Sequence, residues 1–271
     1  MTTDEKFTKL KNRLKEMDRV IIAFSGGVDS TFLLKTASMS GLSKVMAVTG
    51  ISASMSKEEC AFAKNMAESF DVEYRTITTE ELDNTNYTDN APDRCYHCKK
   101  DLFVKLKDIA VTENFPFILD GTNADDADDW RPGSRAAKEE GVESPLLDIG
   151  FSKQEIRDVS KSLGLPTWNK PATPCLSSRF PYGYKITIEA LDRVEKAEAF
   201  IKKYGVKELR VRNHADVARI EVLPEDIPKI IDGPVRDEIN NFLKSIGFTY
   251  VTIDFQGFRS GSSNEGLGKT D

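Results

Sequence analysis

The chain has 271 residues, 39% of them hydrophobic and 30% charged, with a formal net charge of −6. That composition reads as soluble and globular rather than disordered, and a pI near 5.3 argues against a broad nucleic-acid surface, though not against a local basic pocket. No run of about 18 apolar residues is available to span a membrane, and residues 1–15 are polar and charged with no signal-peptide core, so a cytoplasmic location is expected.

Phe7, Leu10, Leu14 and Met17 recur at helical spacing, which predicts an opening amphipathic helix over residues 4–18. Residues 20–24 are apolar throughout, as a central parallel strand should be. They lead into Ala23-Phe24-Ser25-Gly26-Gly27-Val28-Asp29-Ser30, and a helix follows to about Met39, stopping near Gly41. Strand, tight glycine turn and helix start together make an anion cradle: two glycines let backbone N–H groups turn inward, and the helix N-terminus adds its positive dipole end. Ser25 and Ser30 add hydroxyls. Asp29 would repel a bare phosphate, so its presence makes sense if Mg²⁺ bridges it to phosphates. The stretch lacks the Gly-Lys-Ser/Thr of a Walker A loop and the G-x-G-x-x-G of a dinucleotide fingerprint. It resembles the pyrophosphate-binding loop, or PP-loop, of the N-type ATP pyrophosphatases. That resemblance implies cleavage of ATP to AMP and pyrophosphate, with adenylation of a substrate oxygen.

A second strand is expected over residues 44–49. Ser56 and Glu59 read as a capping box opening a helix to about Phe70, and a third strand follows over residues 72–77. Strands alternating with helices imply an α/β fold, a doubly wound parallel sheet that binds ligands at the carboxyl ends of its strands. The turn beginning at Thr49 lies at that edge, where the superfamily resemblance implies an adenine contact. After Cys95 and Cys98, helical periodicity sets in at residues 102–110. A fourth strand over residues 116–120 ends in Gly121-Thr122-Asn123-Ala124-Asp125-Asp126, a second hallmark of the superfamily. The resemblance therefore implies ATP contacts at Ala23, residues 25–30, Thr49, Gly121, Asn123 and Asp125. Residues 127–148, with Trp130-Arg131-Pro132-Gly133, read as a long excursion rather than a regular element. Ser152 and Glu155 form another capping box, and the helix they open ends at Gly164.

Residues 165–184 are rich in proline and short of periodicity, but Trp168, Phe180, Tyr182 and Tyr184 mark a packed junction rather than a flexible linker. Domains over residues 1–170 and 171–271 are expected. The second reads as a small α+β unit. It has a helix over residues 188–204 and a hairpin of strands over 208–212 and 216–222. A helical stretch over 224–246, interrupted at Gly233-Pro234, and a last strand over 250–255 follow. The tail beyond Ser260 is expected to be loose.

Of the four cysteines, Cys60 sits mid-helix beside alanines and reads as a buried small hydrophobe. Cys95 and Cys98 form a C-x-x-C. That spacing admits zinc, iron–sulfur or redox chemistry. With Cys175 as a third thiolate it suits a 4Fe–4S cluster having one iron without a protein ligand; zinc and persulfide chemistry stay open beside it. Two further clusters stand out, Ser177-Ser178-Arg179-Phe180-Pro181-Tyr182-Gly183 and Arg210-Val211-Arg212-Asn213-His214. Arg210 and Arg212 point to one face of a strand, where two guanidiniums repel each other unless they share an anion. Arg259, just past the last strand, is a further candidate.

Taken in order, the PP-loop, P-C-L-S-S-R-F-P-Y-G, R-V-R-N-H and G-F-R-S-G resemble the LarE family across almost the whole chain. These are ATP-dependent sulfur insertases that make the pincer ligand of a nickel cofactor. The resemblance implies a pyridinium mononucleotide whose two carboxylates become thiocarboxylates, and a ring-like homo-oligomer. Cys175 matches the cysteine that gives up its own sulfur in the single-cysteine branch. Cys95 and Cys98 depart from that branch and resemble a three-cysteine branch expected to carry a 4Fe–4S cluster supplied by inorganic sulfide or another sulfur donor. Metal ligation is then expected at Cys95, Cys98 and Cys175, substrate-phosphate binding at Ser178, Arg179, Arg210, Arg212 and Arg259, and reaction chemistry at Cys175, Asp29 and Lys99. Lys100 is an alternative to Lys99, and both could equally be solvated helix residues. A tRNA thiolase is the main rival, disfavoured by the acidic balance. An ammonia-using ligase leaves three placed cysteines unexplained.

Overall fold

The structure is a computed structural model that describes residues 1–126 and 132–259. Its elements run α1 (Thr3–Met17), β1 (Arg19–Ala23), α2 (Val28–Ser38), β2 (Lys44–Ile51), α3 (Lys57–Glu68), β3 (Glu73–Thr78), α4 (Thr85–Thr88), α5 (Arg94–Thr112), β4 (Phe117–Leu119), α6 (Pro132–Glu140), α7 (Pro145–Ile149), α8 (Lys153–Ser162), α9 (Ile188–Lys202), β5 (Leu209–His214), β6 (Val217–Val222), α10 (Ile227–Ile231), α11 (Gly233–Ser245) and β7 (Tyr250–Ile253). They divide into two compact units. One contains Met1–Glu81 and Asp93–Thr173; the other contains Leu82–Pro92 and the chain from Pro174. No helix among the described residues is long and apolar enough to cross a membrane.

The first unit is built on a parallel sheet of order β3-β2-β1-β4. Val20 and Ile22 of β1 enter one core with Leu10, Phe32, Ala63, Phe151 and Ile156, which come from α1, α2, α3 and the approach to and first turns of α8. Ile21 and Ala23 enter the other core with Phe103 and Leu106 of α5 and Ala136 and Ala137 of α6. Burial on both faces explains the unbroken apolar run of β1, and the sheet is doubly wound as expected. Both halves of the capping box form at Ser152 and Glu155. At Ser56 only half forms: its hydroxyl accepts from the Glu59 N–H, while the Glu59 carboxylate is taken by Lys170 at 2.7 Å.

Two readings are corrected here. Residues 132–140 and 145–149 are helices rather than an irregular excursion. Their signal was weak because α6 buries only Ala136 and Ala137; Trp130 and Arg131 lie outside the described residues. Cys60 is half-buried, not a core residue, because α3 buries only its Ala63–Ala67 stripe.

The second unit has a sheet of order β5-β6-β7, with β5 and β6 an antiparallel hairpin and β7 parallel to β6. Ala197 and Ile201 of α9 and Ile239 and Leu243 of α11 pack with Val211, Ile220 and Val222 from the strands. The break between α10 and α11 falls at Asp232, whose ψ of 140° is extended. Residues 82–92 bind into this unit through side chain and backbone alike. Tyr87 Oη lies 2.6 Å from Ser177 Oγ, Asn90 Nδ2 donates to the Pro181 carbonyl at 2.7 Å, and the Ile186 N–H donates to Thr88 at 2.8 Å.

Candidate active site

The PP-loop sits between β1 and α2, at the carboxyl edge of the first unit's sheet. Gly26 has a φ of +69°, and a Cβ there would meet Ala63 of α3 at 3.1 Å, so both conformation and space call for glycine. Gly27 is the N-cap of α2 and no side chain caps that helix, which leaves its first-turn N–H groups to an anion. Ser25 and Ser30 hydroxyls lie 3.1 Å apart across the turn, and the Gly27 N–H points to Ser25 Oγ at 3.3 Å. Ala23 ends β1 and Val28 is buried as the first residue of α2. Thr49 is buried and its hydroxyl donates to the Phe24 carbonyl at 2.7 Å, tying the end of β2 to the loop.

The motif at residues 121–126 meets the loop in space. A Cβ on Gly121 would lie 2.8 Å from the Ser30 nitrogen, so only glycine lets β4 end against the first turn of α2. Asn123 is buried, and its Oδ1 accepts from the Asp125 N–H at 3.0 Å. Asp125 accepts from the Lys153 N–H at 2.9 Å, and Lys153 Nζ reaches Asp29 Oδ2 at 2.5 Å. Lys153 thus joins both motifs, a role no local signal announced. The other Asp29 oxygen is buried without a hydrogen-bond partner among the described residues. An orphaned carboxylate oxygen beside an uncapped helix N-terminus fits Mg²⁺ bound together with ATP phosphates, with Asp29 as its ligand and Lys153 as the cation that now neutralises it. Lys170 was missed as well. Its ammonium donates to the Gly26 carbonyl at 3.3 Å.

Cys95 is exposed and Cys98 half-buried, one turn apart at the start of α5 in the first unit, while Cys175 is exposed in the second. Among the described residues no group of three or more His, Cys, Asp or Glu side chains is arranged to hold a metal ion. Lys100 is engaged by Glu139 at 2.8 Å and Glu140 at 3.2 Å, which raises its pKa above the ordinary lysine value. Lys99 lies with its ammonium 5.3 Å from the Phe103 ring, and its stem abuts Gly133.

The arginine cluster belongs wholly to the second unit, and its members differ in kind. Arg179 is spent on structure: Nε and Nη2 bind Glu198 at 2.8 and 2.9 Å. Its Nη1 donates to Ser178 Oγ at 3.0 Å and to the Pro174 and Cys175 carbonyls at 2.8 and 3.3 Å. Burial opposes its charge most, but Glu198, Cys175 and Glu221 together outweigh burial and hold its pKa above the ordinary value. Arg212 binds Glu221 at 2.9 Å and the Ser178 carbonyl at 2.7 Å. Carboxylates rather than a shared anion therefore relieve these two cations. Arg210 is 5% exposed and forms no ion pair among the described residues; its guanidinium rests 4.7 Å from the Phe258 ring. Burial first, then Arg179 and Arg212, pull its pKa down to about 10. A buried cation repelled by its neighbours gains from any anion that reaches it. Arg259 lies 3.9 Å from Asp254, next in chain to Phe258.

A PP-loop at the edge of a parallel sheet, with Gly121 and Asp125 completing it, defines a PP-loop ATP pyrophosphatase. A profile of the NAD synthase family matches residues 2–102. The chain is 42% identical to an uncharacterized protein of Synechocystis sp., over 98% of this chain and 99% of that one. It is 41% identical to the pyridinium-3,5-bisthiocarboxylic acid mononucleotide synthase of Lactiplantibacillus plantarum, over 94% of this chain and 92% of the relative. An uncharacterized protein of Methanocaldococcus jannaschii is 33% identical, over 94% and 98%. The chain belongs to the LarE family of PP-loop sulfur-inserting enzymes.

Proposed function

We propose that this chain is a cytoplasmic, homo-oligomeric, AMP-forming sulfur transferase. It would convert the carboxylates of a pyridinium-3,5-biscarboxylic acid mononucleotide to thiocarboxylates for a nickel-pincer cofactor. The observation that carries the reading is Arg210, a buried guanidinium that no carboxylate among the described residues pairs with, on a chain that also bears a complete PP-loop. A substrate phosphate neutralises Arg210, with Ser178, Arg179, Arg212 and Arg259 around it. On the first unit, residues 25–30 with Gly121, Asn123 and Asp125 bind ATP, and Asp29 holds Mg²⁺. A substrate carboxylate oxygen attacks the α-phosphorus and pyrophosphate leaves. Sulfide then attacks the acyl carbon and AMP leaves. Lys100 is occupied by Glu139 and Glu140, so Lys99 is the lysine left to stabilise developing negative charge.

Cys95, Cys98 and Cys175 supply an all-thiolate donor set suited to a 4Fe–4S cluster. Such a cluster, when bound, would provide the sulfide to be transferred. The exposure of Cys175 supports a second reading, in which that residue gives up its own sulfur. Anaerobic iron, zinc and acid-labile sulfide analysis with a UV–visible spectrum tests the choice. About four irons per chain and an intact Cys175 after turnover support the cluster. A colourless protein with one zinc overturns it. A Cys175 peptide about 34 Da lighter after turnover establishes the sacrificial route.

A further inference from the structure

The Gly26–Gly27 peptide is the most easily turned unit of the PP-loop, because neither flanking residue has a Cβ to resist rotation. Its carbonyl and its N–H lie in one plane and point in opposite directions. The carbonyl accepts from Lys170 Nζ at 3.3 Å, and the N–H lies 3.3 Å from Ser25 Oγ, within the cradle. Lys170 is itself held fast. Its ammonium binds Glu59 at 2.7 Å and lies 3.8 Å from the Phe62 ring. Arg157 donates to the carbonyls of Trp168 at 2.7 Å and Lys170 at 3.0 Å. The lysine side chain is 15% exposed, and Glu59 gives up half a capping box to hold it.

We propose that Lys170 is a positioning residue that fixes the Gly26–Gly27 peptide with its N–H toward the anion, and so sets the affinity of the loop for the pyrophosphate end of ATP. The proposal rests on the reading of this loop as an ATP site. A lysine on that carbonyl does two things at once. It keeps a carbonyl oxygen from turning to face phosphate, and it polarises the peptide so that the Gly27 N–H is a better donor. Glu59 matters because it holds the ammonium on the carbonyl instead of letting it bind phosphate directly. Lys170 is therefore distinct from Lys153, which faces the carboxylate of Asp29.

Calorimetry of the full chain with inorganic pyrophosphate, with ATP–Mg²⁺ and with adenosine tests this. Lys170→Met should weaken pyrophosphate and ATP binding about tenfold, leave adenosine binding within about twofold, and be rescued by Lys170→Arg. Glu59→Gln should weaken pyrophosphate binding in the same direction, by about threefold, and add little on top of Lys170→Met. Unchanged pyrophosphate affinity in Lys170→Met overturns the proposal. So does an equal loss of adenosine affinity, which marks a merely structural lysine. Tighter binding by Glu59→Gln also overturns it, because Lys170 is then a phosphate ligand held back by Glu59. A wild-type chain that binds neither pyrophosphate nor ATP overturns the ATP reading itself.

Discussion

Glu221 stands directly opposite Arg210 in the β5–β6 ladder, yet its carboxylate passes Arg210 by. One oxygen goes diagonally to Arg212 at 2.9 Å and the other to Arg219 at 2.9 Å. The nearest cross-strand carboxylate is thereby consumed, and Arg210 keeps a net positive charge within the fold. Had Glu221 paired with its register partner, the pocket would be neutral and phosphate would have to displace an internal anion.

The first consequence concerns Arg210→Met. Removing a guanidinium that hydrogen-bonds a phosphate should weaken mononucleotide binding at least tenfold, since hydrogen bonds to charged groups are worth about 1.5–3 kcal/mol. The thermal midpoint should hold or rise, because an unpaired buried charge is removed. Calorimetry and a melting curve check both halves. A variant that binds normally refutes the pocket, and one that merely unfolds refutes the electrostatic account.

Arg179 should behave in the opposite way. It is one half of a buried pair with Glu198 and it also holds the Pro174 and Cys175 carbonyls. Arg179→Ala leaves Glu198 buried and unpaired, a loss of about 3–5 kcal/mol. It also releases the backbone at Cys175. Denaturant unfolding should report the first effect, and faster alkylation of Cys175 in the folded variant the second.

A pH signature separates Arg210 from an ordinary surface arginine. Its folded pKa, about 10, lies below the ordinary arginine value, so the fold disfavours its charge. That unfavourable contribution is present below about pH 10 and is relieved as pH rises above that value toward the ordinary arginine range. A bound phosphate favours the charged form and lifts the pKa again. Mononucleotide binding near pH 10 should therefore take up a proton, and should weaken as pH rises through that value. Calorimetry in buffers of different ionisation enthalpy measures the uptake. None is expected near neutrality, where Arg210 is already charged in both states.

Lys153 and Asp29 predict a split in metal dependence. Mg²⁺ on the other Asp29 oxygen would share the carboxylate with the Lys153 ammonium, which lies 2.5 Å from Oδ2, so the two cations repel and compete for it. Lys153→Met should lower the Mg²⁺ concentration that supports ATP binding while slowing adenylation, because a cation near the pyrophosphate is lost. Asp29→Asn should raise the Mg²⁺ requirement. Pyrophosphate release titrated against Mg²⁺ distinguishes the two; identical Mg²⁺ curves in both variants refute the competition.

The parts of this architecture legible in the sequence were the local ones. The glycine turn after an apolar run, the box at Ser152 and Glu155, and the hairpin around Asn213-His214-Ala215 each carry their signal within a few residues. Residues whose role depends on distant partners were invisible. Lys153 and Lys170 look like solvated lysines until folding brings them to Asp29 and Gly26. Glu198 reads as one more charge on α9 until Arg179 meets it. The two arginines of β5 were found by their spacing, but spacing could not tell which would be neutralised, because that depends on the direction taken by Glu221. Residues 82–92 carry no composition cue that they pack against Ser177 and Phe180.

Gly121 has an implication for how this protein can be switched off. Its missing side chain lets the end of β4 lie against the first turn of α2, where a Cβ would sit 2.8 Å from the Ser30 nitrogen. A single methyl there would have to push the backbone at Asp29 and Ser30 away from β4, because a Cβ cannot stay that close to main-chain atoms. Gly121→Ala would then act as a wedge that pries the loop at residues 25–30 out of shape, while the internal contacts of the second unit stay as they are.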